Sequence, residues 1–212
     1  MQLLLESIRV EMPDFNMPLL PFHLRRVHDS QTALWNMAGL PDLSLEIKRS
    51  FPTQTFDKQR RDTYKCRVLY HKCAIQCIEW HKYMEKQVKT LQIIRADELH
   101  YPYKFADRQS IDALKSSAAM DDILMHRNGL ITDLSYANVA FFDKKQWITP
   151  KNPLLKGVKR ASMLESNTIV PADVPVTDLS LYDKIMLFNA LTSSVYTYRY
   201  DQISGTLFLD KI

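Results

Sequence analysis

Glycine is scarce in this chain: the 212 residues include only Gly39, Gly129, Gly157 and Gly205. No glycine-rich dinucleotide or P-loop fingerprint can be written with them, and each marks a turn or a close approach of backbone. The cysteines number three, Cys66, Cys73 and Cys77. Their odd count, close spacing and the lack of a signal-peptide pattern argue against a disulfide framework. Cys73 and Cys77 lie four apart, with no second pair to complete a zinc site. Free thiols in a reducing compartment are the expectation. No apolar run approaches the roughly 18–20 residues of a membrane span, so no membrane partner is expected and a cytoplasmic location is. The histidines, at positions 23, 28, 71, 81, 100 and 126, suggest no metal cluster, and His23 reads as structural. Repeats, heptads and low-complexity segments are lacking.

What is present is the composition of an ordinary globular chain, 46% hydrophobic and 25% charged. The length suffices for one large domain or two small ones. The net charge of +4 is scattered. Its densest runs, "HLRRVH" and "DKQRRDTYK", read as solvated helix faces, and no nucleic-acid motif accompanies them. A modest positive charge suits a small anionic substrate.

Residues 3–10, "LLLESIRV", read as a strand, and the proline-broken stretch 12–22 as loop or edge. A helix is predicted over 23–39, ending at Gly39, and a second short helix over "SLEIKRSF". The β-branched and aromatic residues of 63–83 predict a hairpin turning near His71 and Lys72. A strand follows at 88–98. Pro102 interrupts, and 107–120 read as a helix. "DDILMHRNG" and "LITDLSYANVAFF" form a hairpin around "RNG" at 127–129, paired next by "KQWITP". Gly157 turns the chain into a helix within 154–166, and strands at 183–191 and at "GTLFLDKI" complete it. The result is an α/β (α+β) chain in two parts. A small N-terminal α/β domain spans 1–98 and a larger domain 104–212, joined by a linker at about 99–103.

The order of five pieces resembles the class IV pyridoxal-phosphate enzymes, which include branched-chain and D-amino-acid aminotransferases and 4-amino-4-deoxychorismate lyase. The pieces are "ESIRV", "HLRRVHDS", "YKFADR", "GLITDLSYANVAFF" and "LLKGVKR", and they lie in the family's order over some 200 residues. "FNAL" at 188–191 looks like a segment of the lyases. The resemblance implies the two-domain D-amino-acid aminotransferase-like fold, with pyridoxal 5'-phosphate in a cleft between the domains. It also implies a homodimer.

The same resemblance assigns roles. Lys104 becomes the Schiff-base lysine. Such an amine must be deprotonated to react, which burial and neighbouring positive charge favour. Asp133 falls at the family's glutamate, the carboxylate that keeps the pyridine nitrogen protonated. On its residues alone the stretch reads as carrying a turn-end aspartate; the resemblance turns that acid inward and gives it a partner. Aspartate is one methylene shorter than glutamate, a departure from the family pattern. The phosphate is assigned to Arg26 and to the amides of Val158 and Lys159 after Gly157, where a helix N-terminus favours anions. Asn189 and Ala190 lie on the phosphate side, and Leu155 packs on the ring. Tyr64, Arg67 and Arg108 are second-rank candidates for the substrate side: Arg67, on a strand with apolar neighbours, for a substrate carboxylate, and Arg108 because its place four after Lys104 resembles the lyases; either arginine serves equally as a structural salt-bridge partner.

Three activities fit. The first is 4-amino-4-deoxychorismate lyase, favoured by "FNAL" and Arg108. The second is a class IV aminotransferase. The third is a cofactor-binding member with little turnover, suggested by Asp133, Leu134 and the short chain.

Overall fold

The computed structural model describes residues 2–37, 39–55 and 61–212. Positions 57–60 of the "DKQRRDTYK" run, and Ala38 in the first predicted helix, lie outside them. The chain divides into two compact units. One comprises Met1–Glu85 with Tyr103–Asp107, the other Lys86–Pro102 with Arg108–Ile212.

The first unit opens with strand β1 (Leu4–Glu11), then helices α1 (Leu20–Trp35) and α2 (Leu43–Ser50), then strands β2 (Thr63–His71) and β3 (Ala74–Lys82). The three strands form one antiparallel sheet in the order β1-β2-β3. Strict alternation along β2 buries Tyr64, Cys66, Val68 and Tyr70 on one face, as the period-2 pattern requires. Tyr64, Cys66 and Val68 meet Ile8, Val10, Leu43, Ile47 and Phe51 in a core of their own, while Tyr70 packs with Leu4 and Val27. Burial pushes the Cys66 thiol up to about 12, which leaves it inert at neutral pH. Helix α1 starts at Leu20, with Pro21 in its first turn where no amide partner is lost. It ends at Trp35, capped by Asn36 in the left-handed region, four residues short of the predicted Gly39.

The second unit contains β4 (Thr90–Arg95), α3 (Gln109–Ser116), β5 (Asp122–Arg127), β6 (Leu130–Leu134), β7 (Asn138–Phe142), β8 (Trp147–Pro150), α4 (Val158–Glu165), β9 (Ile169–Ala172), a 3-10 turn (Val176–Leu181), β10 (Lys184–Phe188), β11 (Ser193–Asp201) and β12 (Thr206–Lys211). The strands make one sheet in the order β6-β5-β4-β12-β11-β10-β7-β8-β9. Its ends are joined: the Ile131 amide donates to the Val174 carbonyl (2.8 Å) and the Val176 amide to Gly129 (2.9 Å). The sheet therefore curls until the segment after β9 reaches β6. Its interior holds Leu91, Leu124, Val139, Phe141, Ile185, Leu187 and Leu207. Asn128 and Gly129 both have positive φ, 49° and 78°, the primed turn that matches strand twist.

Two expectations change. The predicted boundary at 98 moves, because β4 pairs with β12 and, in parallel, with β5. Lys104 moves the other way, into the first unit, where the Leu5 amide donates to its carbonyl (2.9 Å) and Ala106 to Leu3 (2.9 Å). The 130–142 arm also breaks at Ser135–Ala137, where Leu134 and Ala137 bond across a turn. Strand β11 and the short β9 went unpredicted.

Candidate active site

The first unit concentrates charge around Glu6. β1 directs this acid inward, 1% exposed. Successive turns of α1 put His23, Arg26, Val27 and Ser30 on or near its inner face, the spacing of three and four expected of a helix. The Arg26 fork donates to both Glu6 oxygens, from Nε at 2.9 Å and from Nη2 at 2.5 Å. His23 Nδ1 lies 2.5 Å from Glu6 Oε2. Burial alone would raise Glu6. The Arg26 charge and the His23 hydrogen bond outweigh it and hold the acid at about 2. Ionised Glu6 fixes the His23 proton on Nδ1. Burial is the main cause that lowers the pKa of His23, and the positive charges of Arg26 and Lys104 add to it. Lys104 is half-buried and close enough for its charge to be felt by this ring.

The second unit builds around Asp133, 4% exposed on β6. Asn138, at the start of β7, donates from Nδ2 to Asp133 Oδ1 (2.6 Å) and to the Leu155 carbonyl (3.0 Å). The Leu155 amide donates to Asp133 Oδ2 (2.8 Å). Gly157 is the N-cap of α4, so Val158 and Lys159 are its first two residues and their amides point out of the helix start. Arg160, buried in the same first turn, donates to the Pro150 carbonyl (2.9 Å). Burial pushes the Asp133 carboxyl up to about 7; the Leu155 and Asn138 bonds and the Arg160 charge pull the other way without overcoming it.

That value predicts a pH dependence. The folded pKa exceeds the ordinary one, so the stability Asp133 contributes is present below about 3.8 and is lost as pH rises through about 7. Ionising the acid costs up to about 4 kcal/mol by pH 8. In cofactor-free protein, wild-type stability in urea should fall by about 2–4 kcal/mol relative to Asp133→Asn between about pH 5 and 8. Glu6 and His23 are common to both chains and cancel. Parallel curves would show that this carboxyl is not held in a protonated, buried state.

The remaining candidates have local partners. Arg67 pairs across the hairpin with Glu79 (2.6 Å). Arg108 donates to the Ser135 carbonyl (2.7 Å) and lies 3.7 Å from Asp112. Asn189 accepts from the Leu191 and Thr192 amides and so closes the turn between β10 and β11. Tyr64 is core. Glu6, Asn138 and Arg160 were given no role from sequence, although each stands inside a motif stretch, "ESIRV", "LSYANVAFF" and "LLKGVKR". Only their contacts reveal what they hold.

The family model for amino-transferase class IV matches residues 3–195. A Schizosaccharomyces pombe protein provisionally named aminodeoxychorismate lyase is 25% identical over 184 residues, 81% of this chain and 80% of its own. An uncharacterized Haemophilus influenzae protein is 33% identical over 128 residues, 60% of this chain and 68% of its own. A solved structure from Haemophilus somnus 129pt, provisionally named a 4-amino-4-deoxychorismate lyase, superposes with a TM-score of 0.78 at 28% identity, covering 90% of this chain and 96% of that one. The chain belongs to the class IV aminotransferases, a family of pyridoxal-phosphate-dependent enzymes.

The residues present suit that cofactor. Asp133 is a buried acid whose ionised form lacks sufficient compensation, and a protonated pyridine nitrogen is a cation that would supply it. The outward amides at the start of α4 and the Arg26 guanidinium are donors of the kind a phosphate dianion needs.

Proposed function

We propose that the protein is a pyridoxal-phosphate-dependent 4-amino-4-deoxychorismate lyase, which eliminates pyruvate and releases 4-aminobenzoate. The observation that carries the cofactor reading is Asp133, an acid buried by β6 and oriented through both oxygens. The lyase reading draws its support from the Schizosaccharomyces pombe and Haemophilus somnus proteins, whose matches with this chain cover 80% and 96% of their lengths.

When bound, pyridoxal phosphate supplies an aldehyde that captures the substrate amine and a ring that draws electrons from the carbon bearing it. Asp133 would hold the proton at the ring nitrogen. Lys104 would carry the cofactor, and its Nζ would then take the proton from the carbon bearing the amine and pass it to the departing enolpyruvate, since that carbon is aromatic in 4-aminobenzoate and keeps no hydrogen. The Val158 and Lys159 amides and the Arg26 donors that Glu6 leaves over would bind the phosphate. Glu6 occupies two of the five Arg26 donors and so sets the direction of the rest. Leu155, whose amide and carbonyl are both engaged beside Asp133, would pack on the ring.

Purified protein supplied with pyridoxal phosphate and 4-amino-4-deoxychorismate should release 4-aminobenzoate and pyruvate in equal amounts. Amino-group exchange between an amino acid and a 2-oxo acid, without 4-aminobenzoate, would replace the lyase by an aminotransferase. Neither product would leave a cofactor-binding protein with little turnover.

A further inference from the structure

The sequence suggests that Gly157 serves a tight turn, but its backbone does not require glycine. Its φ of −68° and ψ of 147° lie in the extended region open to any residue. What excludes a side chain is a neighbour. A Cβ at position 157 would stand 2.1 Å from Asn138 Oδ1 and 3.3 Å from its Cγ. We propose that Gly157 is there for the Asn138 amide, and that Asn138 is a positioning residue which locks the Asp133 carboxylate to the chain segment entering α4.

Asn138 cannot step aside freely. It is 6% exposed, and its Nδ2 is engaged by Asp133 Oδ1 and the Leu155 carbonyl. Turning the amide over would point its oxygen at the Leu155 carbonyl, which has no proton to give, and at Asp133, which has none once ionised, and so would face buried oxygens with one another. Moving it away breaks the bond to Asp133. Moving the 155–158 segment instead disturbs the Leu155 amide, the second donor to Asp133. Asp133, Asn138 and Leu155 therefore close a ring of three hydrogen bonds, and the bare α-carbon of Gly157 is the space that lets the ring form. Aspartate reaches less far than glutamate, so the carboxylate depends on these donors for its orientation. The functional meaning of this coupling, one amide setting both the acid and the amides of Val158 and Lys159, rests on the function proposed above; the coupling itself does not.

A double-mutant cycle in the full-length chain tests it. Gly157→Ala should lower the melting temperature by about 5 °C when Asn138 is present. With Asn138→Ala the obstacle is gone, and the nearest remaining contact is an ordinary 3.9 Å to the Arg160 Cβ. Gly157→Ala should then cost about 1 °C or less. Should Asn138→Ala not fold, Asn138→Ser removes the same oxygen and takes its place. The second readout is the infrared band of the protonated Asp133 carboxyl, identified by its loss in Asp133→Asn. Both Gly157→Ala and Asn138→Ala should shift its disappearance to higher pH, because each takes a donor from the ionised form. Gly157→Ala failing to fold alone but folding with Asn138→Ala also supports the coupling. Equal losses in both backgrounds, failure to fold in both, or an Asp133 band unmoved by Gly157→Ala would each overturn it. No cofactor or substrate enters these measurements, so a failed lyase assay leaves the result standing, and the reverse.

Discussion

Glu6→Ala is expected to remove about 3–5 kcal/mol of folding stability at pH 7. The size follows from what the acid leaves behind. Arg26, whose side chain is 14% exposed, loses both fork contacts, and fully buried His23 loses the acceptor of its Nδ1 proton. A charge and a polar ring would then be buried without compensation, which costs far more than a surface ion pair contributes. The acid's own pKa sets a consistent scale. Its fall from 4.5 to about 2 corresponds to about 3 kcal/mol. Because the folded value is the lower one, that contribution is present above about 4.5 and is lost as pH falls through about 2. Glu6→Gln keeps the shape but removes the charge and should fall between wild type and alanine. Urea unfolding at pH 7 measures all three. A Glu6→Ala loss below about 1 kcal/mol would show that the cluster contributes no more than an exposed pair.

Lys104→Ala is expected to cut turnover by at least about 10^3-fold. In the function proposed, one amine both carries the cofactor and moves the substrate proton, so alanine removes two roles at once. The backbone around it is well anchored. Leu5 bonds to its carbonyl, Phe105 bridges to Leu4, and Ala106 bonds to Leu3. Truncating the side chain should therefore leave the fold intact, and an unchanged melting curve would separate lost chemistry from lost structure. Borohydride treatment with pyridoxal phosphate should add the cofactor mass to wild type at Lys104 and leave the variant without it. A variant that still turns over, or still gains that mass at one site, would move the role to another lysine.

Much of the fold was legible because its signals are local. Alternation over 63–83 marked the β2–β3 hairpin, "RNG" marked the turn between β5 and β6, and Gly157 marked the start of α4. The order of the five motif pieces was enough to indicate the family. An acid within an otherwise apolar stretch identified Asp133 as the residue to explain. The sequence did not show where β4 and Lys104 belong. β4 joins the second unit through pairing with β12, more than a hundred positions later, while Lys104 returns to β1, about a hundred positions earlier.

The amino-acid order by itself determined the hairpins, the main helices and the family. Only the tertiary structure decided that Glu6 would hold both His23 and Arg26, and that Asp133 would be gripped by Asn138 and Leu155. It also gave the reason for glycine at 157, which lies in a neighbouring amide and not in its own backbone angles. Periodicity reports which face of an element a side chain occupies. Which partner waits on that face depends on strand pairing and packing between distant segments, and those interactions exist only once the chain has closed on itself.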